Sequence, residues 1–567
     1  MFGKSKTSPN VTVIGIWLHE IYPEGFTGEG ISRLLVWIMR AAQTRADIHI
    51  KVACVSWVKE PFKRHLTDLG VDISNLEFIT VPGLMPMLYR IYRWRGERAK
   101  RPKTPRKWMI SWGTFKNWGT TVFSAIIALP VLISLPLILI FGILAAPFLF
   151  IWLVAKVIGY AARWIQNKIN FIRTAYQALK KAIRDRIQTE GPTRTERTSF
   201  TQAASRKPFQ AYFEVMARRA YHGLINLEFE ALARKSSRDK KIQGWFLAYP
   251  RNLYVSRFTV PIIQAVPDIV YMDFPTPFAD AIPGLLESHE QIVETVRQAQ
   301  SVITYSDFVR VQQVIAPGYQ PEDRVHVVRH APISTRELLL KDDENSSTEI
   351  KNLAAVKIHE YLKKLHRPND RRVQYIKELP FGDFDYLFVS SQTRPHKNHF
   401  NLIKVYEKLL REKYFNIKLI FTGAFTPDME EYIWNKKLHL DVLSIPHLPA
   451  VTHAAFYACA RLTIAPTLFE GGFPFVFSES LSVNVPALLS DIPVVQEMLT
   501  MEQRKAICFD PYDVDDMVRS IAWGIEHHTE LLNIEYDIYE EMKKRTWGTV
   551  ASEYIDVFKS TIAGVGK

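Results

Sequence analysis

Short, nearly continuous apolar runs alternate along this chain with segments whose apolar positions recur every three or four residues. VTVIGIWL (11–18) and IHIKVACV (48–55) are β-rich apolar runs. Between them, ISRLLVWIMRAA (31–42) places Ile31, Leu34, Leu35, Ile38, Met39 and Ala42 on one helical face. Strand–helix alternation of this kind predicts a parallel sheet covered by helices. The pattern breaks off, then resumes with GWFLAY (244–249), PIIQAV (261–266), SVITYS (301–306) and RVHVVR (324–329). A second alternation starts at DYLFVSS (385–391). A helix with Leu402, Val405, Tyr406 and Leu409 in register follows, then IKLIFTG (417–423), RLTIAP (461–466), PALLSD (486–491) and AICFDP (506–511). No short-period repeat runs through the chain.

The break holds 117–155, a segment without a charged residue, long enough for one tilted membrane span or for two short ones joined by a turn at Pro130, Pro136, Gly142 or Pro147. Ten Lys or Arg against one acid occupy 90–116, and eight against one occupy 156–186, so much of the net charge of +14 flanks this segment. Basic flanks on both sides predict that both ends lie on the cytoplasmic side, as a hairpin that enters the bilayer and returns, the alternative being a buried helical hairpin of a soluble protein. Trp94, Trp108, Trp112, Trp118, Trp152 and Trp164 suit the interface with anionic head groups. The segment begins more than a hundred residues into the chain, which reads against a signal peptide. The polar stretch 189–208 reads as a linker. The charge hugs the apolar segment and has no nucleic-acid-binding motif beside it, so no nucleic-acid partner is expected.

The predicted fold class is therefore α/β, two Rossmann-like domains with a hydrophobic membrane hairpin inserted in the first. The boundaries are 9–89 (first domain, first part), 90–240 (insertion), 241–335 (first domain, second part), 336–380 (connector), 381–530 (second domain) and 531–567 (C-terminal helices). Cys54, Cys459 and Cys508 are far apart and form no C-x-x-C pair, which argues against a disulfide framework or a zinc site.

In open α/β sheets ligands bind beyond the carboxyl ends of the strands. Three stretches fall there with suitable chemistry. In EGFTGEGISR (24–33), Gly25, Gly28 and Gly30 allow close backbone approach at a helix start, without the G-x-G-x-x-G spacing of a dinucleotide site. In SSQTRPHKN (390–398), Arg394 and Lys397 are cations suited to phosphate. In TLFEGGFPFVFSES (467–480), Gly471, Gly472 and Phe473 precede a helix and offer backbone N–H groups to a diphosphate, while Glu470 and Glu479 can accept hydrogen bonds from sugar or ribose hydroxyls. DVD (513–515) copies a metal-binding D-x-D. Its setting makes Asp513 a helix N-cap and Asp515 and Asp516 first-turn acids, and no essential metal or other cofactor is expected.

The stretch TLFEGGFPFVFSESLSVNVPALLSDIPVVQE resembles the signature of retaining family-4 glycosyltransferases of the GT-B fold, with E-x8-E where that family has E-x7-E, and Asn484 where it usually has glycine. The resemblance extends to the Gly-rich loop, to Arg394 and Lys397, and to RTWGTVASEYIDVF (545–558), but not to the insertion. It implies that Glu479 binds the nucleotide ribose, Glu470 contacts the transferred sugar, and Lys397 with Arg394 neutralises the diphosphate. Ser391 stands where the family carries an arginine. In PIIQAVPDIVYMDFP (261–275), Pro267 stands where the family has a His, and Asp268 matches its Asp. His19 and His330, each after a predicted strand, are candidates for the missing group, beside the plainer reading of both as structural. The function implied is transfer of a sugar, with retention, from a nucleotide sugar to a lipid-linked or polysaccharide acceptor, on the cytoplasmic face of the inner membrane. A non-catalytic membrane-bound scaffold and another GT-B enzyme, such as an epimerase, are the alternatives.

Overall fold

The computed structural model describes residues 11–19, 30–81, 225–279, 285–340, 346–365 and 371–565. Met1–Gly83 with Glu228–Lys567 form one compact unit, and Leu84–Leu227 a second. The apolar segment 117–155, its basic flanks and the linker 189–208 lie outside the described residues, as does Gly28.

The first unit is built on two sheets. The N-terminal sheet has seven strands in the order β3-β2-β1-β4-β5-β6-β7. They are β1 (Thr12–Trp17), β2 (Ile48–Ala53), β3 (Glu77–Ile79), β4 (Gly244–Leu247), β5 (Ile262–Val266), β6 (Ser301–Thr304) and β7 (Val325–Val327). The C-terminal sheet has six strands in the order β10-β9-β8-β11-β12-β13: β8 (Tyr386–Val389), β9 (Lys418–Phe421), β10 (Val442–Ser444), β11 (Leu462–Ala465), β12 (Ala487–Ser490) and β13 (Cys508–Phe509). Every pairing between these strands is parallel. β1 pairs with β4 from Ile14↔Gly244 to Trp17↔Leu247, so the strands before and after the long insertion belong to one sheet.

The strands read as apolar runs because helices cover both faces of each sheet. β4, β5, β8, β11 and β12 are buried along their whole length. The predicted helical faces pack inward: Leu34, Leu35, Ile38, Met39 and Ala42 are buried, as are Leu402, Val405, Tyr406 and Leu409. Within β5, Gln264 is a buried polar residue whose Nε2 donates to the carbonyls of Leu247 (3.1 Å) and Tyr249 (2.9 Å), fastening the end of β4 beside β5. In the connector, the helix Ser347–Lys364 opens with a capping box between Ser346 and Glu349. Its buried face of Ile350, Ala354, Ile358 and Leu362 joins the core that holds Tyr386, Phe388 and Phe456. The last helix, Trp547–Val565, returns to the N-terminal sheet, where Phe246 packs on Tyr554 and Phe558 with ring centroids 5.8 and 5.0 Å away.

Two edge strands, β3 and β10, escaped the sequence pattern. Each has three residues.

Candidate functional site

The C-terminal sheet reverses its strand order between β8 and β11, and the loops after these two strands open the crevice where such sheets bind ligands. β8 leads through Ser390–Arg394 into a short 3-10 turn, Pro395–Lys397, ended by Asn398 in the left-handed conformation (φ 57°). β11 leads through Pro466–Phe469 to Glu470. The backbone carbonyl of His396 accepts from Leu468 N (2.7 Å) and from the Thr467 hydroxyl (3.3 Å), which holds the two loops side by side. At their meeting point the Lys397 ammonium donates to the Glu470 carboxylate, both side chains being mostly buried. Arg394 is exposed at the rim and donates to Gln392 Oε1 at 3.2 Å.

From the N-terminal sheet, the loop after β5 brings Asp268 to the same place. Its Oδ1 accepts from Val270 N at 3.2 Å. Gln313 steadies this loop, accepting from Ile269 N (2.7 Å) and donating to Asp273 Oδ2 (2.6 Å). Asp268 keeps part of its surface open, yet protein crowds it closely enough that burial raises its carboxyl pKa. The bond from Val270 opposes this rise, Glu470 adds to it, and Lys397 and Arg394 also oppose it. Asp268, Arg394, Lys397 and Glu470, distant in sequence, thus lie within one another's electrostatic reach.

The Gly-Gly pair explains how the two sheets come so close. A Cβ on Gly471 would stand 2.1 Å from the Pro267 carbonyl oxygen and 2.9 Å from Asp268 Cβ. One on Gly472 would stand 3.0 Å from the His330 ring and 3.2 Å from Tyr305 Cβ. Among the described residues no acceptor engages the amides of Gly471, Gly472 or Phe473. They precede the helix Phe475–Leu481, which has Pro474 as its N-cap.

Glu479 lies inside that helix, buried, and accepts from the Tyr457 hydroxyl at 2.8 Å. Three residues on, Ser482 and the Glu479 carbonyl hold Thr335 of the segment crossing between the sheets, at 2.9–3.0 Å. Asn484 ends the turn with φ 61°, the left-handed position expected of it. Gly30 opens the helix Gly30–Gln43 in the N-terminal sheet. The Ser391 hydroxyl meets His399 Nε2 at 2.7 Å.

Both candidate histidines sit in aromatic surroundings. His330 packs on Tyr305 and Phe475 with centroids 4.1 and 4.8 Å away, and burial, with a contribution from Arg545, lowers its pKa to about 3. His19 packs on Phe229, and burial, partly offset by a backbone hydrogen bond to Arg251, lowers its pKa to about 4. Each imidazole is neutral at physiological pH. A cavity of about 20 Å³ lies beside His330, lined also by Arg329, Phe473, Phe475 and Glu497. Lys397, Glu470 and Asp268 are not among its lining residues, and it holds little more than one water. The charged cluster is therefore the candidate site, and this cavity is not.

Asp513 caps the helix Val514–Glu526, accepting from Asp515 N (2.9 Å) and Asp516 N (3.0 Å). Asp515 pairs with Lys408 at 2.6 Å. Among the described residues no group of three or more His, Cys, Asp or Glu could hold a metal ion.

Sequence reasoning missed Tyr457, Ser306 and Glu497. Ser306 donates to the Gly471 carbonyl at 2.9 Å, and Glu497 accepts from Asp307 N at 2.9 Å. Each acts through a contact distant in sequence.

The structure is similar to those of Anabaena HepE in complex with UDP and glucose (11% identity, TM-score 0.49, 97% of this chain and 100% of that one), sucrose-phosphate synthase from Thermosynechococcus elongatus (12%, 0.43, 59% and 77%) and a glycosyltransferase from Rickettsia africae (11%, 0.40, 59% and 80%). With TM-scores below 0.5, these similarities carry no weight for the function of this chain. No curated protein matches the sequence. Residues 370–541, which hold the C-terminal sheet with Arg394, Lys397, Glu470 and Glu479, match the family described as Glycosyl transferases group 1.

Proposed function

We propose that the protein is a GT-B glycosyltransferase that takes a nucleotide-diphosphate sugar at the C-terminal sheet and transfers the sugar, with retention, to an acceptor held against the N-terminal sheet. The observation that carries this reading is the convergence of Lys397, Glu470 and Asp268 at the strand-order reversal of a segment that matches the group 1 glycosyl transferases. Lys397 and Arg394 supply positive charge for a departing diphosphate, and the amides of Gly471–Phe473 supply further donors. Stabilising that leaving group as the sugar becomes oxocarbenium-like is electrostatic catalysis by preorganised groups. Glu470 would meet the sugar hydroxyls and Glu479 the ribose. Asp268 matches the family's Asp and lies against the Gly471 turn, while Pro267 stands where that family has its His. No cofactor or metal enters this scheme.

The apolar segment 117–155 with its basic flanks supports a location at the cytoplasmic face of a membrane and a lipid-linked or polysaccharide acceptor. Pro267 in the place of the family's His supports a second reading, a non-catalytic scaffold that keeps nucleotide affinity.

The test is sugar transfer. Membranes containing the protein are incubated with a panel of radiolabelled nucleotide sugars, and the lipid and polysaccharide fractions are counted. Transfer from one donor, reduced at least about a hundredfold in Lys397→Ala, supports the enzyme. Binding of a nucleoside diphosphate without transfer from any donor identifies the scaffold instead.

A further inference from the structure

We propose that Ser306, Glu497 and Arg329 form a latch that seats the Glu470–Gly471 turn on the carboxyl ends of β5 and β6, and so holds Glu470 and Asp268 in one site. The catalytic consequence rests on the glycosyltransferase reading; the seating itself does not.

Ser306 follows β6 and is 2% exposed. Its hydroxyl donates to the Gly471 carbonyl at 2.9 Å and accepts from Val309 N at 3.2 Å, so both its directions are used. The next two backbone amides, of Asp307 and Phe308, donate to the two carboxylate oxygens of Glu497 at 2.9 and 2.5 Å. Glu497 belongs to the C-terminal sheet, just after the short helix Pro493–Gln496 that follows β12. Arg329, beyond β7, reaches Asp307 Oδ2 at 2.8 Å and Glu497 Oε2 at 3.4 Å. Arg545 in turn donates to the Arg329 carbonyl through Nε (3.0 Å) and Nη2 (2.9 Å).

The C-terminal sheet thus grips residues 306–308 twice, through Gly471 and through Glu497. The bonds to Glu497 are charge-assisted and directional, and they fix position more narrowly than apolar contact does. The seat matters because the same turn lies against Pro267 and Asp268 on one side and carries Glu470 on the other. A shift of about 1 Å there would separate the two carboxyls from productive geometry. Ser306 and Glu497 are positioning residues, since each acts through the turn.

The test uses the full-length protein with Ser306→Ala, Glu497→Gln and the double variant. Amide hydrogen exchange is followed over residues 468–477, and kcat and KM are measured with the donor that the wild type uses. The latch predicts exchange about tenfold faster in each single variant at Leu468 and Phe477, whose amides flank the turn and donate to the carbonyls of His396 and Pro474. It predicts kcat lowered about tenfold with donor KM within about twofold. It also predicts a double variant no worse than the worse single, because the two residues act as one unit. Unchanged exchange overturns the latch. So does faster exchange with unchanged kcat, and so does a loss of kcat that adds across the variants alongside a general fall in melting temperature. If the wild type transfers no sugar from any donor, the functional reading falls, and the exchange at Leu468 and Phe477 still decides the seating.

Discussion

Gly471 shows how much one residue can say before and after its surroundings are known. In the sequence it marks a turn with accessible amides beside Glu470. The structure adds a steric reason for glycine, the Pro267 carbonyl 2.1 Å from where a Cβ would stand, on an element two hundred residues earlier in the chain. Gly471→Ala must push the turn off β5. We expect a destabilisation of about 1–3 kcal/mol in chemical denaturation and a loss of sugar transfer larger than that shift in stability accounts for. Glu535 carried no signal at all in HTELLNIEYDIY, yet it is fully buried and accepts from Ala487 N at 2.9 Å. Burial raises its carboxyl pKa well above the ordinary value. A carboxyl raised in the folded state favours folding at low pH, and that contribution is lost as pH rises through the folded pKa. Glu535→Gln keeps an acceptor and removes the ionisation. Its melting temperature relative to wild type should therefore improve from mildly acidic to alkaline pH, and a constant difference across that range would count against the assignment.

At the scale of elements, the sequence was clearest where apolar runs are long enough to show a period. β1, β2, β4, β5 and the helices carrying Leu34 or Leu402 fall where the pattern puts them. Capping chemistry was equally legible: Asp513 caps its helix and Asn484 takes the left-handed turn. β3 and β10 were not legible from the apolar pattern. The packing of the connector helix on the core was not legible either, since its buried face of Ile350, Ala354, Ile358 and Leu362 is thin among charges. Asp513→Ala should cost about 1 kcal/mol by thermal denaturation through loss of the cap. Sugar transfer should be unchanged, which a metal-binding Asp513 would not permit.

For the whole molecule, what the sequence could not supply was which loops meet. It named Asp268, Lys397 and Glu470 separately; the fold brings them together because β5, β8 and β11 end at one place and Gly471 lets the two sheets touch. The long insertion leaves the N-terminal sheet continuous, with β1 beside β4. The last helix binds back onto that sheet through Phe246, Tyr554 and Phe558. The charge at the meeting point is the feature on which the proposed function turns. Calorimetric titration of a panel of nucleoside diphosphates and their sugar conjugates into the wild type and into Lys397→Ala tests it most directly. The account predicts saturable binding to the wild type and a loss of at least about tenfold in affinity for the variant, the worth of one charge-assisted phosphate contact. Equal affinity of both proteins for the nucleotide, or none in either, would contradict it.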